Sequence, residues 1–78
     1  MHTTPDHRLD VTGLACPLPV LKAKKAIRAL APGAVLEVAA TDPGAVKDFH
    51  EFCRVTGHVL LDHDEKDGVF TFHIRRKG

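Results

Sequence analysis

The 78-residue sequence contains no tryptophan and no tyrosine, a single methionine and two cysteines. Its aromatic content is four phenylalanines, and periodicity places all four (Phe49, Phe52, Phe70, Phe72) on inward faces. That leaves no stacking platform for single-stranded nucleic acid. Eleven Lys and Arg against ten Asp and Glu give a net charge of +1, which argues against binding to nucleic acid or anionic membrane by bulk charge. No apolar run approaches the roughly 20 residues needed to span a bilayer. Residues 1–7, Met1 to His7, lack the apolar core of a signal peptide, so a frayed N-terminal tail and a cytoplasmic location are expected. Cys16 and Cys53 form no metal or redox spacing motif. The six histidines (His2, His7, His50, His58, His63, His73) show no ligand spacing either. Neither a metal nor a cofactor is expected.

What remains is an ordinary globular composition, 44% hydrophobic and 27% charged. The length allows one domain with a small, closely packed core, expected over residues 8–76. Leu9 and Val11 alternate with Arg8 and Asp10, the period of a half-buried strand. From Pro17 to about Leu30 the spacing is helical, with Val20, Ala23, Ile27 and Leu30 on the core stripe. Ala31-Pro32-Gly33 stops that helix. A strand over Val35–Thr41 follows, and Thr41-Asp42-Pro43 reads as a second helix start with a capping side chain before proline. Ala45, Val46, Phe49, Phe52 and Cys53 form its inward face, and Gly57 its stop. His58–Asp64 and Val69–Arg75 read as a hairpin whose turn contains Asp67-Gly68. The order β-α-β-α-β-β predicts an α/β fold. Right-handed crossovers place both helices on one face of a four-stranded mixed sheet, a two-layer α/β sandwich. Glu37, Thr71, His73 and Arg75 fall on the other, solvent-facing side, and the strand order stays open.

The chemically informative stretch is Gly13-Leu14-Ala15-Cys16-Pro17-Leu18-Pro19, where a strand gives way to a helix. Pro17 suits the first helical position, and Pro19 is tolerated in the same turn. Cys16 then lies at or beside the N-cap, near the positive helix end. Only a thiolate is a good nucleophile, and a helix N-terminus favours negative charge. Lys22, Lys24, Lys25 and Arg28, with no acidic residue between Asp10 and Glu37, push the same way. A Cys16 pKa below the ordinary thiol value is therefore expected; the competing reading is an inert cysteine. Leu18 and Leu21 fall on the outer side of the helix among the lysines. They are either unremarkable exposed leucines or, with Lys22 and Lys25, a docking patch for a partner. Cys53 reads as a small core hydrophobe.

Leu9-Asp10, Gly13-Leu14 and Cys16-Pro17-Leu18-Pro19 together resemble the TusA family of small sulfur-carrier proteins, also called SirA-like. The likeness continues through the basic helix, Ala31-Pro32-Gly33, Thr41-Asp42-Pro43, the Asp48…Phe52-Cys53 segment and the closing strand. Ala15 stands where many members have arginine, and Leu18 where some have glutamate. The resemblance implies the two-layer fold and a sulfurtransferase or sulfur-carrier role through a cysteine persulfide. Cys16 would be the reactive residue, with Gly13, Pro17 and Pro19 shaping its turn. It would accept sulfane sulfur from a donor, such as a cysteine desulfurase or rhodanese-like protein, and pass it to an acceptor protein. The family serves tRNA thiolation, cofactor biosynthesis or sulfur oxidation. The competing function is an RNA- or protein-binding regulatory module that uses the basic first helix. A third reading, a Cys16–Cys53 redox sensor, requires Cys53 to be reachable.

Overall fold

The computed structural model of the chain describes residues 4–78. The elements run β1 (His7–Val11), α1 (Leu18–Arg28), β2 (Val35–Ala40), α2 (Ala45–Thr56), β3 (Val59–Lys66) and β4 (Val69–Arg75). The strands form one sheet in the order β1-β2-β4-β3. β1 lies parallel to β2, with Leu9 opposite Val38 and Val11 opposite Ala40. β2–β4 and β3–β4 are antiparallel. This is the expected mixed sheet, now with its strand order. Positions 1–3 of the expected tail lie outside the described residues. The domain includes residues before position 8, because Asp6 exchanges hydrogen bonds with Val35 and His7 opens β1. The Asp6 N–H donates to the Val35 carbonyl, and the Asp6 carboxylate accepts the Val35 N–H, both at 2.8 Å.

Alternation in the strands and helical periodicity converge on a single core. Val11, Leu36, Val38, Ala40, Phe72 and Ile74 from the sheet meet Ala23 and Ile27 of α1 and Ala45, Phe49, Phe52 and Cys53 of α2. Both helices therefore cover the same face of the sheet. Phe49 stacks on Phe72 with ring centroids 4.6 Å apart and meets Phe52 edge-on at 6.4 Å, so three of the four rings interlock at the centre. α1 differs from expectation at both ends. It starts one residue later, with Pro17 as the N-cap and Pro19 inside the first turn, and it stops at Arg28 with Ala29 as C-cap. Its core residues are Pro19, Ala23 and Ile27; Val20 and Leu30 are only half-buried. α2 ends as expected on Gly57, whose left-handed backbone lets its N–H reach the Cys53 carbonyl at 2.9 Å.

The hairpin turn is tighter than the sequence suggests. Lys66 pairs directly with Val69, leaving Asp67-Gly68 alone in the turn. Both residues have positive φ, the backbone that two-residue hairpins favour. A bulge between Leu60 and Asp62 sets the faces of β3. Asp62 is brought opposite His73 on the outer side, and His63 opposite Phe72 on the helix side.

Candidate functional site

Parallel pairing of β1 with β2 puts the segments that follow them side by side, and this builds the site. After β1 the chain turns sharply. Asp10 Oδ1 accepts from the Thr12 N–H at 2.9 Å and from its hydroxyl at 2.7 Å, and these bonds hold the Asp10 carboxyl below its ordinary pKa. Gly13 follows at φ +80°, a left-handed backbone that costs a residue with a Cβ but not glycine. The Gly13 N–H then donates to Thr41 Oγ1 at 2.8 Å, and the Cys16 N–H donates to Asp42 Oδ2 at 3.0 Å. Asp42, the side chain expected to cap the second helix, instead fastens the cysteine loop together with Thr41. α2 begins only at Ala45, its N-cap is Gly44, and no side chain caps it. Pro43 accordingly precedes the helix rather than opening it.

Cys16 is exposed at the head of α1, and its peptide bond to Pro17 is cis. The expected depression of its pKa is not found; the thiol is raised above its ordinary value. The largest cause is a hydrogen-bond interaction with the Asp48 carboxylate, followed by desolvation and by the charges of Asp48 and Asp42. Two features reverse the expectation. Pro17 and Pro19 have no N–H, and that of Leu18 is taken by the Ala15 carbonyl at 3.0 Å, so the helix start has few free donors to offer a thiolate. The parallel topology also brings two carboxylates that lie far from Cys16 in sequence up to the sulfur. Atoms of Cys16, Asp42 and Asp48 that could bind a metal lie within 4.8 Å of one another. This is the one such three-residue grouping among the described residues, and it is assembled from three segments rather than from a spacing motif.

Cys16 and Pro17 form one end of an open groove of about 350 Å³ between α1 and α2. Val20, Leu21 and Lys24 line it from α1, and Asp48, Glu51, Phe52, Val55 and Thr56 from α2. Leu21 is 52% exposed and Val55 68%, an apolar strip beside the sulfur. Of the docking candidates, Leu21 lies in this groove. Leu18, Lys22 and Lys25 are exposed on α1 but do not line it. Sequence reasoning missed Asp48, Glu51 and Val55 as site residues. Their signal was helical spacing: positions 48, 51, 52 and 55 recur at intervals of three and four along one flank of α2.

Cys53 is buried among core residues, and desolvation pushes its pKa up to about 11. It packs as the expected small hydrophobe. His50 and His63 approach each other with Nε2 atoms 3.4 Å apart, and no histidine joins a three-ligand grouping among the described residues. No helix among those residues is long and apolar enough to cross a membrane.

Comparison with known proteins agrees with the fold. The family model described as Sulfurtransferase TusA matches residues 7–76. A Neisseria meningitidis serogroup A protein described as a sulfur carrier is 62% identical over 69 residues, covering 88% of this chain and 93% of its own. The sulfur carrier protein TusA of Allochromatium vinosum is 51% identical over 71 residues, covering 91% and 93% of the two chains. The crystal structure of a SirA-like protein from Desulfitobacterium hafniense superimposes with a TM-score of 0.81 at 28% identity, covering 92% of this chain and 99% of that one. With its fold and nearly its full length matched, the chain belongs to the TusA sulfurtransferase family.

Proposed function

We propose that this protein is a sulfur carrier that takes sulfane sulfur onto Cys16 as a persulfide and hands it to a partner protein. The observation that carries this reading is an exposed cysteine at the rim of an apolar groove, in a chain of a family whose members are named sulfur carriers. Thiol–persulfide exchange needs a reachable sulfur and a good leaving group rather than a deep substrate pocket, and the open groove suits it. The donor is a protein persulfide of the cysteine desulfurase or rhodanese-like kind, and the acceptor is a second protein cysteine. The occupant of the groove is the cysteine-bearing segment of either partner, its apolar side chains laid against Leu21 and Val55. This reading accounts for the site better than a binding module on the basic helix, because it uses the cysteine and the groove together.

The test is direct. Incubating the protein with a cysteine desulfurase, cysteine and the desulfurase's cofactor is expected to add one sulfur atom to its intact mass. Reductant should remove that atom, and Cys16→Ser should never acquire it. Labelling that survives in Cys16→Ser would sink the proposal.

A further inference from the structure

The carrier reading leaves the Cys16 proton without a destination, and one side chain is placed to receive it. Asp48 sits in the first turn of α2, half-buried in the groove wall, with a carboxylate oxygen within 4.8 Å of the Cys16 sulfur. The other nearby carboxylate, Asp42, is already engaged by the Cys16 N–H. Among the described residues no cation pairs with Asp48 (the groove's ion pair is Glu51 with Arg54), so its carboxylate is free to act on the thiol. We propose that Asp48 is the proton acceptor of the loading step, taking the thiol proton as the Cys16 sulfur attacks the donor persulfide. This assignment rests on the sulfur-carrier reading and adds a second residue to its chemistry.

The Cys16 sulfur attacks the outer sulfur of R–S–SH, a Cys16 Sγ–S bond forms, and the inner S–S bond breaks. The electron pair of that bond leaves on the donor as R–S⁻, while the Cys16 proton passes to Asp48. The products are Cys16–S–SH, the donor thiolate and a neutral Asp48 carboxyl. Charge is conserved, and no outside oxidant or reductant enters, because the donor cysteine is reduced as Cys16 is oxidised. Delivery is the same reaction in reverse with a new partner, and the departing Cys16 sulfur recovers a proton at the same place. The raised pKa of Cys16 fits this arrangement: the resting thiol keeps its proton until a persulfide is in line. The charged groups acting on the sulfur are Asp48 of α2 and Asp42 of the preceding loop, while Glu51 of α2 and Lys24 of α1 line the same groove.

The decisive property of Asp48→Asn is that two measurements should move in opposite directions. Removing the carboxylate charge should lower the Cys16 pKa, read as the pH profile of alkylation by iodoacetamide. At the same time, the rate of persulfide formation from glutathione persulfide near neutral pH, read by intact mass, should fall at least about tenfold, since a positioned base contributes roughly a hundredfold or more. Asp48→Glu should restore much of that rate. Folding of both variants is checked by amide NMR spectra. Loading that is unchanged or faster in Asp48→Asn would make Asp48 a mere suppressor of the thiolate and overturn the assignment, as would an unshifted alkylation profile. Failure of the wild-type protein to load at all is a different result, and it strikes the carrier reading itself.

Discussion

At the residue scale the site turns on where two negative charges end up. Asp42 was legible as a capping residue from Thr41-Asp42-Pro43, and it does cap an N–H, but that of Cys16 rather than one in its own helix. Its two effects can be separated. Asp42→Asn keeps an acceptor for the Cys16 N–H and removes only the charge, so the alkylation profile of Cys16 should move to lower pH with stability nearly unchanged. Asp42→Ala removes the acceptor as well, and a lost hydrogen bond to a charged group on an exposed loop should cost about 1 kcal/mol. The urea midpoint checks the second expectation and the alkylation profile the first. The Cys16 pKa itself was misread from sequence for a physical reason. Helix-end electrostatics are local and visible in the chain order, whereas Asp48 reaches the sulfur only through the tertiary fold. The prolines that marked the helix start also emptied it of donors, so the sign followed the carboxylates.

At the element scale α1 does two jobs with two faces. Pro19, Ala23 and Ile27 bury one side, while Leu21 and Lys24 turn to the groove shared with α2. Leu21→Asp tests the outward job. The residue is 52% exposed, so folding stability should change by less than about 0.5 kcal/mol. Transfer from a partner protein should nevertheless fall several-fold, because a desolvated carboxylate would have to share the groove with Asp48 and Glu51. Loading from glutathione persulfide, which needs no docking surface, should be nearly unaffected. Equal rates with the protein partner would show that the groove is not where partners sit. The inward faces of both helices and the hairpin were readable because each repeats a simple period over many residues. The groove was not, since its floor is shared between two helices whose relative placement no single periodicity records. Val20 illustrates this: its spacing assigned it to the core stripe, and the packing of α2 places it in the groove wall.

At the scale of the whole molecule, the outer face of the sheet carries a row of charges that crosses every strand. Arg8 of β1 pairs with Glu37 of β2 at 3.1 Å, Glu37 accepts from His73 Nε2 of β4 at 2.9 Å, and His73 Nδ1 meets Asp62 of β3. Both nitrogens of His73 face carboxylates, and only the protonated ring can donate to both. Burial of the ring lowers its pKa, but the hydrogen bonds and charges of Asp62 and Glu37 outweigh that, and the net shift is upward. A histidine whose folded pKa is raised stabilises the fold fully below its unfolded value of about 6.5, and that stabilisation is lost as pH rises through the folded pKa. His58 works in the opposite sense. Burial, then Lys77 and Arg76, depress its pKa, so its contribution holds above about 6.5 and is lost as pH falls through the lower folded value. The two partly cancel in the wild-type curve, and variants are needed to see either. The urea midpoint of the wild-type protein should exceed that of His73→Gln by a margin that is widest near pH 5.5 and that narrows steadily toward about pH 8.5. For His58→Gln the margin should instead narrow as pH falls. A His73→Gln margin that stayed constant across that range would mean that the ring titrates alike in the folded and unfolded protein and that Asp62 and Glu37 do not hold it in its charged form.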